Sequence, residues 1–199
     1  MAISKYAHRP ELGVRWQALF DDLEAQVAAL EDAELQAEVR DRSRREAARL
    51  RVVDRLRPAV GSALVVTVLG GAVVRGALVD AGADWALLDE GGRDALVALP
   101  ALLGVTGLGR ESGAPGSEGQ VERRLDLRWA LRGLARSRAG VQVVLVDGSV
   151  LGGTLDRVGA DHVELAEHPP GEPRRAASVR QVRLVPFTAL ALVRSVPAG

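Results

Sequence analysis

The feature that most constrains this chain is that it repeats itself. A Gly-punctuated pattern recurs at an offset of 77: Val68 aligns with Leu145, Gly71 with Gly148 and Val73 with Val150. Gly76-Ala77-Leu78 aligns with Gly153-Thr154-Leu155, Gly82-Ala83-Asp84 with Gly159-Ala160-Asp161, and Leu88 with Leu165. After a longer loop, Leu99-Pro100-Ala101 aligns with Val185-Pro186-Phe187 at an offset of 86, which gives the second copy nine extra residues near His168–Ser178. Shared glycines at fixed spacing mean the same backbone turns made twice. A unit of about 50–60 residues is marginal alone, so each copy needs further elements to complete its core.

Within each copy the apolar runs are short and rich in β-branched residues. Val65–Leu69, Val73–Val79, Trp85–Leu88, Ala95–Leu99 and Leu102–Val105 read as five strands, parted by Gly70-Gly71, Gly82 and Gly91-Gly92. Val141–Val146, Val150–Leu155, His162–Ala166, Val179–Val185 and Ala189–Val193 read as five more, with Asp147-Gly148 as a hairpin signal. Five short strands do not stay flat with one face wet, so the expected form is a small barrel in each copy. Gly76 and Gly153 fall where a barrel strand bends sharply.

The N-terminal part has a different period. Trp16, Phe20, Leu23, Val27 and Leu30 are spaced 4, 3, 4, 3, which predicts a helix with one apolar seam. No Gly or Pro stands between Val14 and Arg57, and Pro58 stops the helix, so it extends over residues 11–57. Leu35 and Val39 shift the register, and Asp32 is placed to cap a second segment, so the arm is one helix or two. A helix this long needs a partner helix, from this chain or from another copy. The arm is also polarised. Residues 1–39 carry 3 basic and 8 acidic side chains, whereas residues 40–60 carry 8 Arg against Asp41, Glu46 and Asp54. This is an Arg patch for phosphates, an acidic end meeting a basic end in antiparallel pairing, or a solvated face with i, i+4 pairs.

Residues 106–117 read as a linker, and Ser117 with Gln120 offers a capping box for a helix over 118–138. Leu127, Ala130, Leu131 and Leu134 form its apolar stripe, with Trp129 either extending that stripe or exposed. Over 120–138, Arg123, Arg124, Arg128, Arg132, Arg136 and Arg138 stand against Glu122 and Asp126, a net of +4, which makes this the most basic element in the chain. Only Lys5 among the 26 basic residues is lysine, so Arg richness belongs partly to the composition as a whole.

Val143-x-Leu145-x-Asp147-Gly148-x-x-x-x-Gly153-x-Leu155 resembles the first motif of Sm-like domains. Leu184-Val185-Pro186-Phe187-x-x-Leu190-x-x-Val193 resembles the final strands of Sm-like and related SH3-like barrels. Val66-x-Val68-x-Gly70-Gly71-x-x-x-x-Gly76-x-Leu78 follows the same plan. The whole chain is similar to actinobacterial proteins with a helical N-terminal arm and two such modules. The resemblance implies an α+β chain: a helical arm (1–60), a first SH3/Sm-like barrel (61–109), a linker with a basic helix (110–138) and a second barrel (139–199). Sm-like RNA binders grip a base with a loop Asn, and this chain has no Asn. At the comparable turns stand Asp84-Trp85 and Asp161-His162. A Trp or His there can stack on a base or serve as a core or turn residue, and the adjacent Asp repels phosphate.

Several chemistries are set aside. With no Cys there is no disulfide, Cys-ligated zinc, iron–sulfur cluster or cysteine nucleophile. His162 and His168, with Asp161, Glu164 and Glu167, match no metal-ligand spacing. Gly107-Leu108-Gly109 lacks the third glycine in register and the parallel βαβ unit of a dinucleotide loop, and there is no P-loop Gly-Lys-Ser/Thr. The Pro- and Arg-containing loop Glu167–Arg180 is a contact loop or a plain insertion. The uncharged run Ala59–Val74 has 16 residues and internal glycines, too short and broken to span a bilayer. The expectation is a cytoplasmic, non-enzymatic module without cofactor or metal, whose partner is nucleic acid, RNA first. Arg128, Arg132 and Arg136 are the leading phosphate contacts, and Arg40, Arg44, Arg45, Arg49 and Arg51 come next. The alternative is a protein-interaction scaffold that self-associates through residues 11–57 and binds no nucleic acid. The neutral total charge and the acidic first barrel, net −3 over residues 61–109, favour that alternative.

Overall fold

The computed structural model describes residues 11–113, 125–169 and 179–196. Its contacts divide the chain after Arg49 into an N-terminal unit and a larger one from Leu50 onward. In the first, α1 (Glu11–Ala47) is one uninterrupted helix of 37 residues, about 55 Å long. Asp32 lies inside it and divides nothing. Trp16, Leu19, Phe20, Leu23, Val27, Leu30, Leu35 and Val39 are all exposed along it.

The helical stretch ends earlier than Pro58. A second helix, α2 (Val52–Leu56), begins after the extended residue Arg51 and passes into a 3-10 turn over Arg57–Ala59 that holds Pro58. The interruption needs no Gly or Pro. The Asp54 carboxylate reaches back to accept the Arg51 amide at 2.9 Å, which starts a fresh helix there. Val53 and Leu56 then bury themselves in the body rather than continuing the arm's seam.

The body contains β1 (Ala63–Val68), β2 (Val73–Ala81), β3 (Trp85–Asp89), β4 (Asp94–Ala98) and β5 (Leu102–Thr106). After these come α3 (Leu127–Ser137), then β6 (Gly140–Leu145), β7 (Val150–Val158), β8 (His162–Glu167), β9 (Gln181–Pro186) and β10 (Leu190–Ser195). All ten strands belong to one sheet, in the order β5-β1-β2-β3-β4-β10-β6-β7-β8-β9, with every pairing antiparallel. The ten strands expected as two sets of five thus form a single hydrogen-bonded sheet, with α3 between the fifth and sixth strands in the chain. The joint is β4 against β10, with Leu192 opposite Val97, Val193 opposite Leu96 and Arg194 opposite Ala95. Arg194 Nε donates to Glu90 at 2.6 Å and its Nη2 to the Val73 carbonyl at 3.1 Å, and the Asp94 amide donates to Ser195 Oγ at 2.9 Å.

The cores interpenetrate at this joint. Val144, Ala191 and Leu192 of the second half are buried in the first half's cluster, and Trp85, Leu96 and Ala98 of the first half are buried in the second's. The two outer strands show the contrast. Leu103 on β5 and Val182 and Leu184 on β9 are exposed, whereas β4 and β10, their counterparts at the joint, are mostly buried.

Strand pairing corrects the repeat's second alignment. Leu88 stands opposite Ala95 and Leu165 opposite Arg183, so the last two strands correspond at an offset of 88, and the second copy's insertion is eleven residues (88 less 77). Leu99–Ala101 matches the equivalent 3-10 turn Phe187–Ala189. The two prolines are not equivalent: Pro100 lies in that turn, but Pro186 is the last residue of β9.

Gly76 and Gly153 are required by close approach. A Cβ on Gly76 would fall on the Asp89 carbonyl, and one on Gly153 on the Ala166 carbonyl, at equivalent crossings of β2 with β3 and β7 with β8. Gly133, on the exposed side of α3, meets nothing. Gly76→Ala or Gly153→Ala should each cost about 1–3 kcal/mol in urea unfolding. Gly133→Ala should gain up to about 1 kcal/mol. Equal effects at the three sites would contradict the packing described.

Candidate nucleic-acid interface

A basic concavity lies between α3 and β7. It has a volume of about 670 Å³ and is lined by Trp129, Arg132, Ala135, Arg136, Arg138, Arg157, Val158 and one acid, Asp156. Its position depends on how α3 is held. The N-cap is Asp126, whose Oδ1 accepts the Trp129 amide at 2.8 Å. The proposed Ser117–Gln120 box, and Arg123 and Arg124, lie outside the described residues.

The first half clamps the start of α3. Asp84 Oδ1 accepts the Leu127 amide at 2.6 Å, Trp85 Nε1 donates to the Leu125 carbonyl at 2.8 Å, and the Ala83 amide donates to the same carbonyl at 3.2 Å. Burial raises the Asp84 carboxyl above its usual range, and the neighbouring Asp126 adds to the effect against the opposing Leu127 hydrogen bond. Leu127 and Leu131 face inward, and the helix lies on β7. Arg132 and Arg136, three and seven residues after Trp129, then share one groove-facing stripe. Arg138 ends the helix in the left-handed conformation (φ 51°), and Arg157 enters from β7. Arg157 Nη1 is 3.7 Å from Glu164, while Arg132, Arg136 and Arg138 have no ion-pair partner among the described residues.

Of the three leading contacts read from sequence, Arg132 and Arg136 line this groove. Arg128 does not: it is half-buried, with its Nε enclosed. Trp129, Arg138 and Arg157 were not chosen from sequence. Trp129 carries a helical-spacing signal with Arg132, three residues on; Arg138, six residues after Arg132, does not, and Arg157 is on a strand that no local spacing ties to α3. The arm residues Arg40, Arg44, Arg45 and Arg49 belong to the N-terminal unit and are exposed. Arg40 Nε donates to the Gln36 carbonyl at 3.0 Å, and Arg44 is 3.6 Å from Asp41. Arg51 precedes α2 and lies 3.7 Å from the Asp54 carboxylate.

Trp85 does not offer a free face for a base. It is 3% exposed, packs over Gly82 and stacks on Trp129. The same position in the second half is His162, whose ring lies over Gly159 and whose Nδ1 is 2.9 Å from Asp161. That hydrogen bond holds the Asp161 carboxyl below its ordinary range. His168 is buried, with Nε2 2.9 Å from Thr154 Oγ1 and Nδ1 3.0 Å from the Pro169 carbonyl. No cluster of three His, Cys, Asp or Glu side chains suited to a metal occurs among the described residues.

A second concavity of about 440 Å³ contains Arg93, Arg180 and Arg194. Arg194 there is committed to Glu90, and Glu167 to Arg183 and Gln181, the Arg183 contact holding the Glu167 carboxyl below its usual range. No described helix is long and apolar enough to cross a membrane. No protein-family model matches the chain, and no curated protein matches it.

Proposed function

We propose that this chain is a cytoplasmic, non-enzymatic binding module of two SH3/Sm-like halves, and that the α3–β7 groove binds a polyanion, RNA first. The observation that carries the reading is four Arg side chains against one Asp in a groove that also presents an exposed Trp129. The likeness of the halves is supported by their matching strand orders, β5-β1-β2-β3-β4 and β10-β6-β7-β8-β9. Arg132, Arg136, Arg138 and Arg157 act on phosphates as sequence-independent cations. Arg128 is better read as a packing residue.

A second reading, assembly without nucleic acid, is favoured by separate observations. Eight large apolar side chains are exposed along α1, and the outer strands leave Leu103, Val182 and Leu184 uncovered. Both readings agree on the absence of catalysis and differ on what is bound.

Labelled mixed-sequence RNA titrated with the full chain tests the first reading. Binding at low salt should weaken by tenfold or more at physiological salt, and Arg132→Glu with Arg136→Glu should remove it. Binding indifferent to both salt and these substitutions would contradict the assignment. Light scattering of the full chain tests the second reading: a mass above one chain, reduced by Leu23→Arg with Val27→Arg, is expected. A single-chain mass throughout would contradict it.

A further inference from the structure

We infer that the groove selects single-stranded over duplex nucleic acid, because one unstacked base stacks on the exposed part of the Trp129 ring. This rests on the polyanion reading above and deepens it. Trp85 packs against Trp129 in an offset, near-parallel arrangement, with ring centroids 6.3 Å apart and planes 20° from parallel. Trp85 is itself fixed, by its indole hydrogen bond to the Leu125 carbonyl and by the fit of its ring against Gly82. Trp129 is also on the first turn of α3, where Asp126 caps its own amide. Its ring is thus supported before any ligand arrives, and little ordering remains to oppose binding.

Trp129 also lines the groove, and the residue is 46% exposed. Arg132 and Arg136 continue from it along the same stripe, with Arg136 about 10 Å further along the helix. A stacking plane followed by a row of cations is what a flexible single strand can use: one base turns in while the neighbouring phosphates meet the arginines. In a duplex each internal base is stacked on both sides, so only the phosphates can engage. The groove holds a single such plane. The residue equivalent to Trp85 is His162, and it is engaged by the Asp161 carboxylate. Selection therefore depends on one base at a time and tolerates any sequence, since every base has a π-face.

The test compares four probes of equal length with the full chain: single-stranded RNA, single-stranded DNA, duplex DNA and a fully abasic DNA strand. The expected result is binding of both single strands roughly tenfold or more tighter than of the duplex and abasic strands. Trp129→Leu should bring single-strand affinity down towards that of the duplex and abasic probes, and Trp129→Phe should restore part of the difference. The abasic comparison uses the unaltered protein, so a folding defect in a variant does not obscure the answer. Equal affinity for all four probes, still abolished by Arg132→Glu with Arg136→Glu, overturns the stacking inference and leaves the polyanion reading intact. No binding of any probe at low salt, or binding indifferent to those arginines, overturns both.

Discussion

The antiparallel ladder between β4 and β10 is the interaction on which the rest of the body depends. Each half contributes five strands, too few residues for a self-sufficient core. The ladder gives each half a sixth strand and moves apolar side chains across the boundary: Ala191 and Leu192 in one direction, Leu96 and Ala98 in the other. The Glu90–Arg194 pair crosses the same joint, with both side chains largely buried. Removing one partner of such a pair leaves an uncompensated charge, which is why the joint tolerates little sliding. Register has the same effect, since a one-residue slip would turn Val97 and Leu192 out of the core.

The basic groove is a consequence of that joint. α3 belongs by sequence to the passage between the halves, but its N-terminus is held by Asp84 and Trp85 of the first half while its body lies on β7 of the second. Trp85 does two things at once: it fills the second half's core and packs against Trp129. The arginines are presented on a rigid helix and strand rather than on loops, so their spacing is set before binding. Asp84 accepts the cost of burial because it satisfies an amide at the start of α3 that would otherwise lack a partner.

Much of this was legible in the sequence, and the failures have identifiable causes. Strand positions followed from short β-branched runs between glycines, and each observed strand overlaps its expected segment. The helical break before Val52 was hidden because it depends on a side-chain cap, Asp54 to the Arg51 amide, rather than on a helix breaker. The β4–β10 joint left no local trace, because strand pairing between distant segments is encoded in complementary edges and not in period. Arg132 and Arg136 were recognisable as one helical stripe. Arg128, one residue before Trp129, looked equivalent in a charge count but falls on the enclosed side. Arg157 was invisible as a groove residue because its proximity to α3 exists only after folding.

The most direct test of the account is where on the chain a nucleic acid makes contact. Ultraviolet cross-linking of a 4-thiouridine-containing single-stranded RNA to the full chain, followed by peptide mass spectrometry, reads this out. The account places the cross-links in the α3 segment 127–138, centred on Trp129, with further sites near Arg157. Cross-links confined to the arm or to the concavity around Arg93 and Arg180, with residues 127–138 and 156–158 unmodified, would contradict it.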